Sequence, residues 1–563
     1  MNRMLVVVLV IAAISAGLLY GRRTSGPTAP VSVSAPEVPV GATLLEGLGN
    51  YDFPVTTSKP DAQRWFNQGL MLTFGFNHDA AERSFLKATE IDPECAMCWW
   101  GAALVLGPHV NGGMEPANNA KAWHRVQRAK ALAPQTAERE QAFIEALVAR
   151  YAEVPPADRR PLDEAYAEST GKLVATRPDD LDAATLHAEA LMDLQPWAYY
   201  DAELNPVGHT SEIVSTLESV IARNPDHAGA LHLYVHAVEA SADPQRGVAA
   251  ADRLRELIPG SGHLVHMPAH IYSRVGRWHD AVIANQHAIA ADDAYLSTCR
   301  GNAQGLYPLG YVPHNHHFLW FAASMEGASA IARDAALETA ERTNLQDLMR
   351  QPGFAGLQHY WMTPWFDRVR FGRWDEIVGQ ANPAPDLPYV TAIWHYAQAM
   401  AAVRQQRLGD AAEHHAALAK AAADPLMETL MVWDRYPLAH AVRIAERTVS
   451  AELAMTRGDK DAAIAALREA VQEEDRIPYD EPPGWHAPAR HTLGAVLLAS
   501  ERAAEAEAVY REELARNPDN GWSLRGLAGS LAAQKKPGDA KEVEARLAAA
   551  WQHADVELDG SRF

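Results

Sequence analysis

The stretch "WFNQGLMLTFGFNHDAAERSFLKATEIDP", beginning at Trp65, constrains the fold more than any other feature. Trp65, Gly69, Leu72, Ala81, Phe85, Ala88 and Pro93 fall at offsets 0, 4, 7, 16, 20, 23 and 28. Two runs of helical period are joined by a short turn, small residues stand where the helices would cross, and a proline ends the unit. "HTLGAVLLASERAAEAEAVYREELARNP" repeats the scheme near the other end with Gly494, Leu497, Ala506, Tyr510 and Pro518. Between them, Pro225 and Pro259 mark the ends of two successive units, and Ala269, Tyr272, Gly276, Ala281 and Ala288 supply the interior of the next. "MTRGDKDAAIAAL" and "QRLGDAAEHHAAL" read as further inter-helix turns, with Gly458 and Gly409 where a first helix ends.

A helix pair recurring at a period of about 34 residues, as the spacing of Pro225 and Pro259 does, is the tetratricopeptide pattern. The expected fold is all-α, a superhelical solenoid of antiparallel helix pairs over residues 60–555, with a histidine-rich central groove at about 180–330. An array of this kind lets 563 residues fold without division into several cores. Longer connections are expected at 107–120, 195–209, 292–313 and 378–390. In repeat arrays such insertions gather on one face.

Outside the array, residues 1–24 hold one early arginine, Arg3, and an apolar run from Leu5 to Tyr20. That run reads as an export signal, either cleaved or kept as a membrane anchor, which places the rest in the periplasm or another extracytoplasmic space. Residues 25–59 are rich in Pro, Ser and Val and read as a tether. A net charge of −21 argues against a nucleic-acid partner, whose phosphates must be met by Lys and Arg. Of three cysteines, Cys95 and Cys98 form a Cys-x-x-Cys pair, most simply a local disulfide, with a metal or redox role as the alternative. Trp99 rather than His follows the pair, which removes covalent haem attachment.

The histidines are placed more pointedly. His232 and His236 form a His-x-x-x-His pair in "ALHLYVHAVE", and His266 and His270 form another in "HLVHMPAHIY", one full repeat later and position for position. Around a helix, His236 lies about 40° from His232 and Glu239 about 20° to its other side, so the three share a face. A third group, His314 and His317 in "YVPHNHHFLW", opens a later helix pair at Pro313. Glu189 and Asp193 stand four residues apart on a helix just upstream. Counted in tetratricopeptide register, the two His-x-x-x-His pairs occupy positions that line the concave groove, as the repeat class implies.

"FGFNHDAAERSFLKATEIDPECAMCWWGAALVLGP", "AEALMDLQPW", "HLYVHAVEAS", "PGSGHLVHMPAHIYSRVGRW", "VPHNHHFLW" and "PDNGWSLRGL" together resemble a family of bacterial exported tetratricopeptide proteins, over about residues 55–535. The resemblance implies the fold and the choice of histidines; it implies no reaction. His109 stands where the resemblance leads one to expect Asn, which sets His109 aside.

Convergent neutral imidazoles are the commonest ligands of Zn, Cu, Ni and Fe. The expected metal ligands are therefore His232, His236, Glu239, His266, His270, His314 and His317, binding copper or zinc. Glu239 and Glu189 are the candidates for a carboxylate acting on metal-bound water, in an oxidase or a hydrolase. Without turnover the same cluster would buffer metal. The competing reading is a non-catalytic scaffold that binds a peptide or small molecule in an aromatic groove near Trp197, Tyr199, Tyr200, Tyr234, Tyr272 and Trp320.

Overall fold

The computed structural model describes residues 41–299, 303, 305–351 and 353–563. The apolar run read as a signal or anchor lies outside the described residues. Among those described, no helix is long and apolar enough to cross a membrane.

From Pro60 to Ala550 the chain is a succession of antiparallel helix pairs, as the repeat pattern predicts. The first pair, Pro60–Phe74 and His78–Ile91, shows why these residues fold this way. Asn77 caps the second helix by accepting from the Ala80 N–H, which satisfies one of the donors a helix start leaves open. Phe85 is wedged between two glycines. A Cβ at Gly69 would lie 2.7 Å from its ring, and one at Gly101, in the following helix, 2.4 Å. The last full repeats use the same lock, with Tyr510 between Gly494 and Gly526 at 2.4 and 2.1 Å. Small residues are obligatory there because one aromatic ring fills the space where three helices meet.

The only strands among the described residues are Met431–Val432 and Tyr436–Pro437, an antiparallel hairpin. Its turn residues, Trp433 and Asp434, both adopt positive φ.

Three features set this solenoid apart from one with an open groove. First, part of the expected tether is packed. Leu48 and Phe53 are buried, the Leu45 N–H donates to Gln68, and the Gly260 N–H donates to the Gly47 carbonyl at 2.8 Å. Apolar residues in "LLEGLGNYDF" supply that contact, which the Pro/Ser composition further upstream masks. Second, the first repeat touches the central ones: Phe74 packs on Gly229, where a Cβ would lie 2.6 Å from the ring. Third, the last repeats fold back onto the centre. Trp278 Nε1 donates to the Pro518 carbonyl and Trp522 Nε1 to the Ser324 carbonyl, each at 2.8 Å. The loop 475–488 carries Tyr479 and Glu481 to the same centre. The concave side at residues 228–326 is thus filled by the chain itself.

Candidate metal centre

Three successive repeats supply the histidines. His232 and His236 come from the helix Ala228–Glu239. His263 and His266 come from Gly262–His266, and His270 from Pro268–Arg274, which continues it across Pro268. His314 comes from Val312–Glu326. The sequence places these side chains in a groove; the structure buries them, with His232, His236, His263, His266 and His270 all at most 2% exposed and His314 half-buried. Phe76 is one reason. Its ring sits 4.4 Å from the His232 ring, 5.4 Å from His263 and 5.9 Å from His236.

Hydrogen bonding at Nδ1 decides what each ring presents inward. His232 Nδ1 lies 2.6 Å from the Phe74 carbonyl, which can only accept. Both oxygens of Glu239 are taken by Nδ1 atoms, His236 at 2.8 Å and His270 at 2.6 Å. His266 Nδ1 lies 2.7 Å from Asn285 Oδ1, and the Asn285 amide is held in that sense because its Nδ2 donates to the Ala281 carbonyl. Each of these four Nδ1 atoms therefore carries the proton, and a neutral ring then offers Nε2 as a bare lone pair.

Those lone pairs converge. His266 Nε2 is 2.6 Å from His270 Nε2 and 3.0 Å from His314 Nε2. His232 Nε2 is 3.1 Å from His263 Nε2, and His236 Nε2 is buried without a partner. Of these contacts, His266–His270 sets two bare nitrogens against each other, and they repel unless a cation or a proton lies between them; His263 and His314, whose Nδ1 atoms are not fixed in this way, can donate from Nε2 to His232 and His266. Ligands around a tetrahedral ion with bonds of about 2.0–2.1 Å stand about 3.3–3.4 Å apart, within a few tenths of an ångström of two of these separations. Two trios each offer nitrogens within 4.8 Å of one another: His232, His236 and His263, and His266, His270 and His314.

Electrostatics keep most of these rings neutral. Burial, with the neighbouring His270 adding to it, pushes His236 and His314 down to about 3. His232, His263 and His266 are also driven well below the ordinary range by burial. His270 is the exception. Burial opposes its charge, but the Glu481 and Glu239 carboxylates outweigh burial and push it up to about 10. Glu481 Oε1 lies 3.2 Å from His270 Nδ1, off the hydrogen-bonding direction because that N–H is aimed at Glu239. Burial and the Glu239 charge hold the Glu481 carboxyl above its usual range. Without a metal ion, one proton on His270 is what relieves the repulsion with His266.

Other residues singled out from sequence are placed elsewhere. His317 is buried but stacks on Trp320 at 5.3 Å and packs on Tyr360 at 4.3 Å, outside both trios. Asp193 pairs with Arg150 at 2.7 Å. Glu189 lies near the same guanidinium, and burial raises its carboxyl. Glu239 joins the cluster through Nδ1 atoms, as an acceptor. Cys95 and Cys98 are disulfide-bonded at the start of the helix Ala96–Leu104. Sequence reasoning missed His263 and Glu481. His263 carried a usable signal, since it precedes His266 by three residues as His314 precedes His317. Glu481 carried none, because it arrives from a distant repeat.

Comparison with known proteins bears on the framework. Residues 62–95 match the tetratricopeptide repeat family. No curated protein matches the chain. Among solved structures, it is similar to the human IFIT1 dimer with m7Gppp-AAAA, at 10% identity over 84% of this chain and 94% of that one, TM-score 0.32. It is also similar to the APC/C hetero-tetramer Cut9–Hcn1, at 13% identity over 88% and 89% of the two chains, TM-score 0.28. Similarity at that level says nothing about ligands.

Proposed function

We propose that this chain is a helical-repeat scaffold whose interior binds transition metal through histidine Nε2 atoms, with copper favoured and zinc next. The observation that carries the reading is the set of fixed tautomers. Phe74, Glu239 and Asn285 hold four Nδ1–H groups, so the opposite nitrogens face inward as ligands. Outer hydrogen bonds of this kind are how metal-binding histidines are oriented. The donor set is all imidazole. Such a set suits copper, zinc, nickel and iron, and copper stands highest in the general affinity order.

With copper the centre would serve an oxidoreductase; with zinc, a hydrolase acting through metal-bound water. Both Glu239 oxygens are engaged, so Glu239 orients ligands in this reading. Glu481, beside His270 with neither oxygen hydrogen-bonded, is the carboxylate available to a proton. Glu189 takes no part, since its near charge is Arg150. We read the N-terminal run as an export signal, in keeping with the disulfide, which persists in oxidising compartments.

An interaction role has a different address. A groove of about 640 Å³ is lined by Arg443, Glu446, Arg447, Glu469, Glu473 and Arg476. It lies between helices Leu408–Ala422, Ala439–Thr456 and Lys460–Glu474. A peptide held by the scaffold would bind there, since the histidine face is already covered.

Elemental analysis of the full chain, purified without a histidine tag and dialysed against copper or zinc, tests the metal reading. Metal should be retained by wild type and by the exposed-site control His124→Ala, and reduced in His236→Ala and His270→Ala. Equal retention, or none, in all four would refute it.

A further inference from the structure

The geometry points to two ions rather than one, each held by a histidine pair from one repeat and a single histidine from the next. This rests on the metal reading above and goes beyond it in the number of ions and their coupling.

Call the residue that opens each histidine block position 0. In three successive repeats, positions 0, 3 and 7 read Gly229, His232 and His236; then His263, His266 and His270; then His314, His317 and Phe321. Each trio takes positions 3 and 7 from one repeat and position 0 from the following one. The array ends in the way this rule requires. The first block has glycine at position 0, where no site precedes it and Phe74 needs the space. The last has Phe321 at position 7, so His317 lacks the partner that would make a third site. That accounts for His317, whose two nitrogens are buried without partners.

The two trios are also alike in shape. Ring centroids in the first are 4.8, 4.9 and 6.2 Å apart. In the second they are 4.6, 4.7 and 5.9 Å apart. One translated arrangement built twice from different residues is hard to reconcile with a single ion drawing on a loose cluster.

The trios touch. His236 and His270 are 5.7 Å apart, and His263 and His266 are 6.0 Å apart, no farther than rings within one trio. Glu239 spans the boundary, accepting from one ligand of each trio with its two oxygens. Paired ions in proteins stand about 3.5–4 Å apart and act on one small ligand between them. The same class of ligand, a small oxygen donor, is what two ions held this way would share.

The test uses copper(II) as the probe on the full chain, with bound copper counted and electron paramagnetic resonance integrated on the same sample. Wild type should hold two copper ions per chain. Its spectrum should show coupling, as a half-field line or as integrated intensity below the copper content. His263→Ala and His314→Ala should each hold about one copper, with the ordinary spectrum of an isolated ion; circular dichroism checks that both remain folded. Should either variant unfold, Glu239→Gln is the second arm, and it should weaken the coupling while the histidine ligands remain. One copper per chain in wild type would overturn the two-ion inference and leave the metal reading standing. Two coppers with an uncoupled spectrum would overturn the pairing. No copper at all would instead refute the metal reading itself.

Discussion

His236 and His270 belong to different repeats yet donate to the same carboxylate, one to each oxygen of Glu239. Their rings meet at 90° with centroids 5.7 Å apart. Glu239→Gln replaces one acceptor by a donor at nearly constant size, so one of the two imidazoles loses its orientation. Metal affinity should fall about 10–100-fold, the usual effect of removing an outer partner of a ligand. Competition with a chelator reads this directly, and unchanged affinity would mean that Glu239 is not positioning the rings.

The repeat framework should be separable from the centre. At Gly69 an added methyl meets the Phe85 ring at 2.7 Å, and overpacking of this kind costs about 1–3 kcal/mol. Gly69→Ala should therefore lower the urea midpoint while leaving the metal content of the folded protein unchanged. A loss of metal in the folded variant would show that the site depends on distant packing.

Much of this was legible in sequence for a physical reason. Repeat contacts are local, so Gly69, Phe85, Gly494 and Tyr510 announce their roles through spacing alone, and so do the pairs His232–His236 and His266–His270. The closure of the groove was not legible. Phe76 and Glu481 reach the histidines, and Tyr479 reaches Glu239, from repeats far away along the chain, and nothing in the repeat period encodes which distant segment will fill a concave face. Nor could spacing say which imidazole nitrogen faces inward, since that depends on Phe74 and Asn285 as acceptors. The packed stretch around Leu48 escaped because it lies next to a proline-rich segment with no helical period.

Acid should destabilise the ion-free protein, and histidines away from the centre contribute to this alongside those within it. Burial lowers His359 to about 4, and burial together with Arg370 holds His486 and His491 well below the usual range. Their unfolded value is about 6.5, so below it the unfolded chain binds more protons than the native one. Stability is fully present above about pH 6.5 and lost as pH falls towards 4, on the order of 3 kcal/mol for His359 alone. Urea midpoints in chelator should drop steadily across that window. A flat profile from 6.5 to 4 would contradict the buried neutral state of these rings.

Cys95 and Cys98 should matter to stability alone. Their bond closes a very short loop, which limits the stabilisation to about 2 kcal/mol. Replacing both with Ser should lower the thermal midpoint slightly and leave bound metal unchanged; lost metal would link the pair to the histidine centre.

The most direct measurement is X-ray absorption at the metal edge of the zinc-loaded and copper-loaded full chain. For zinc, the expected first shell is nitrogen or oxygen alone at about 2.0–2.1 Å, with the outer-shell scattering of several imidazole rings per ion, and that imidazole contribution reduced in His270→Ala. Both metals should show no sulfur. A first shell containing sulfur, or one without imidazole scattering, would contradict the claim that the inward-facing Nε2 atoms are the ligands.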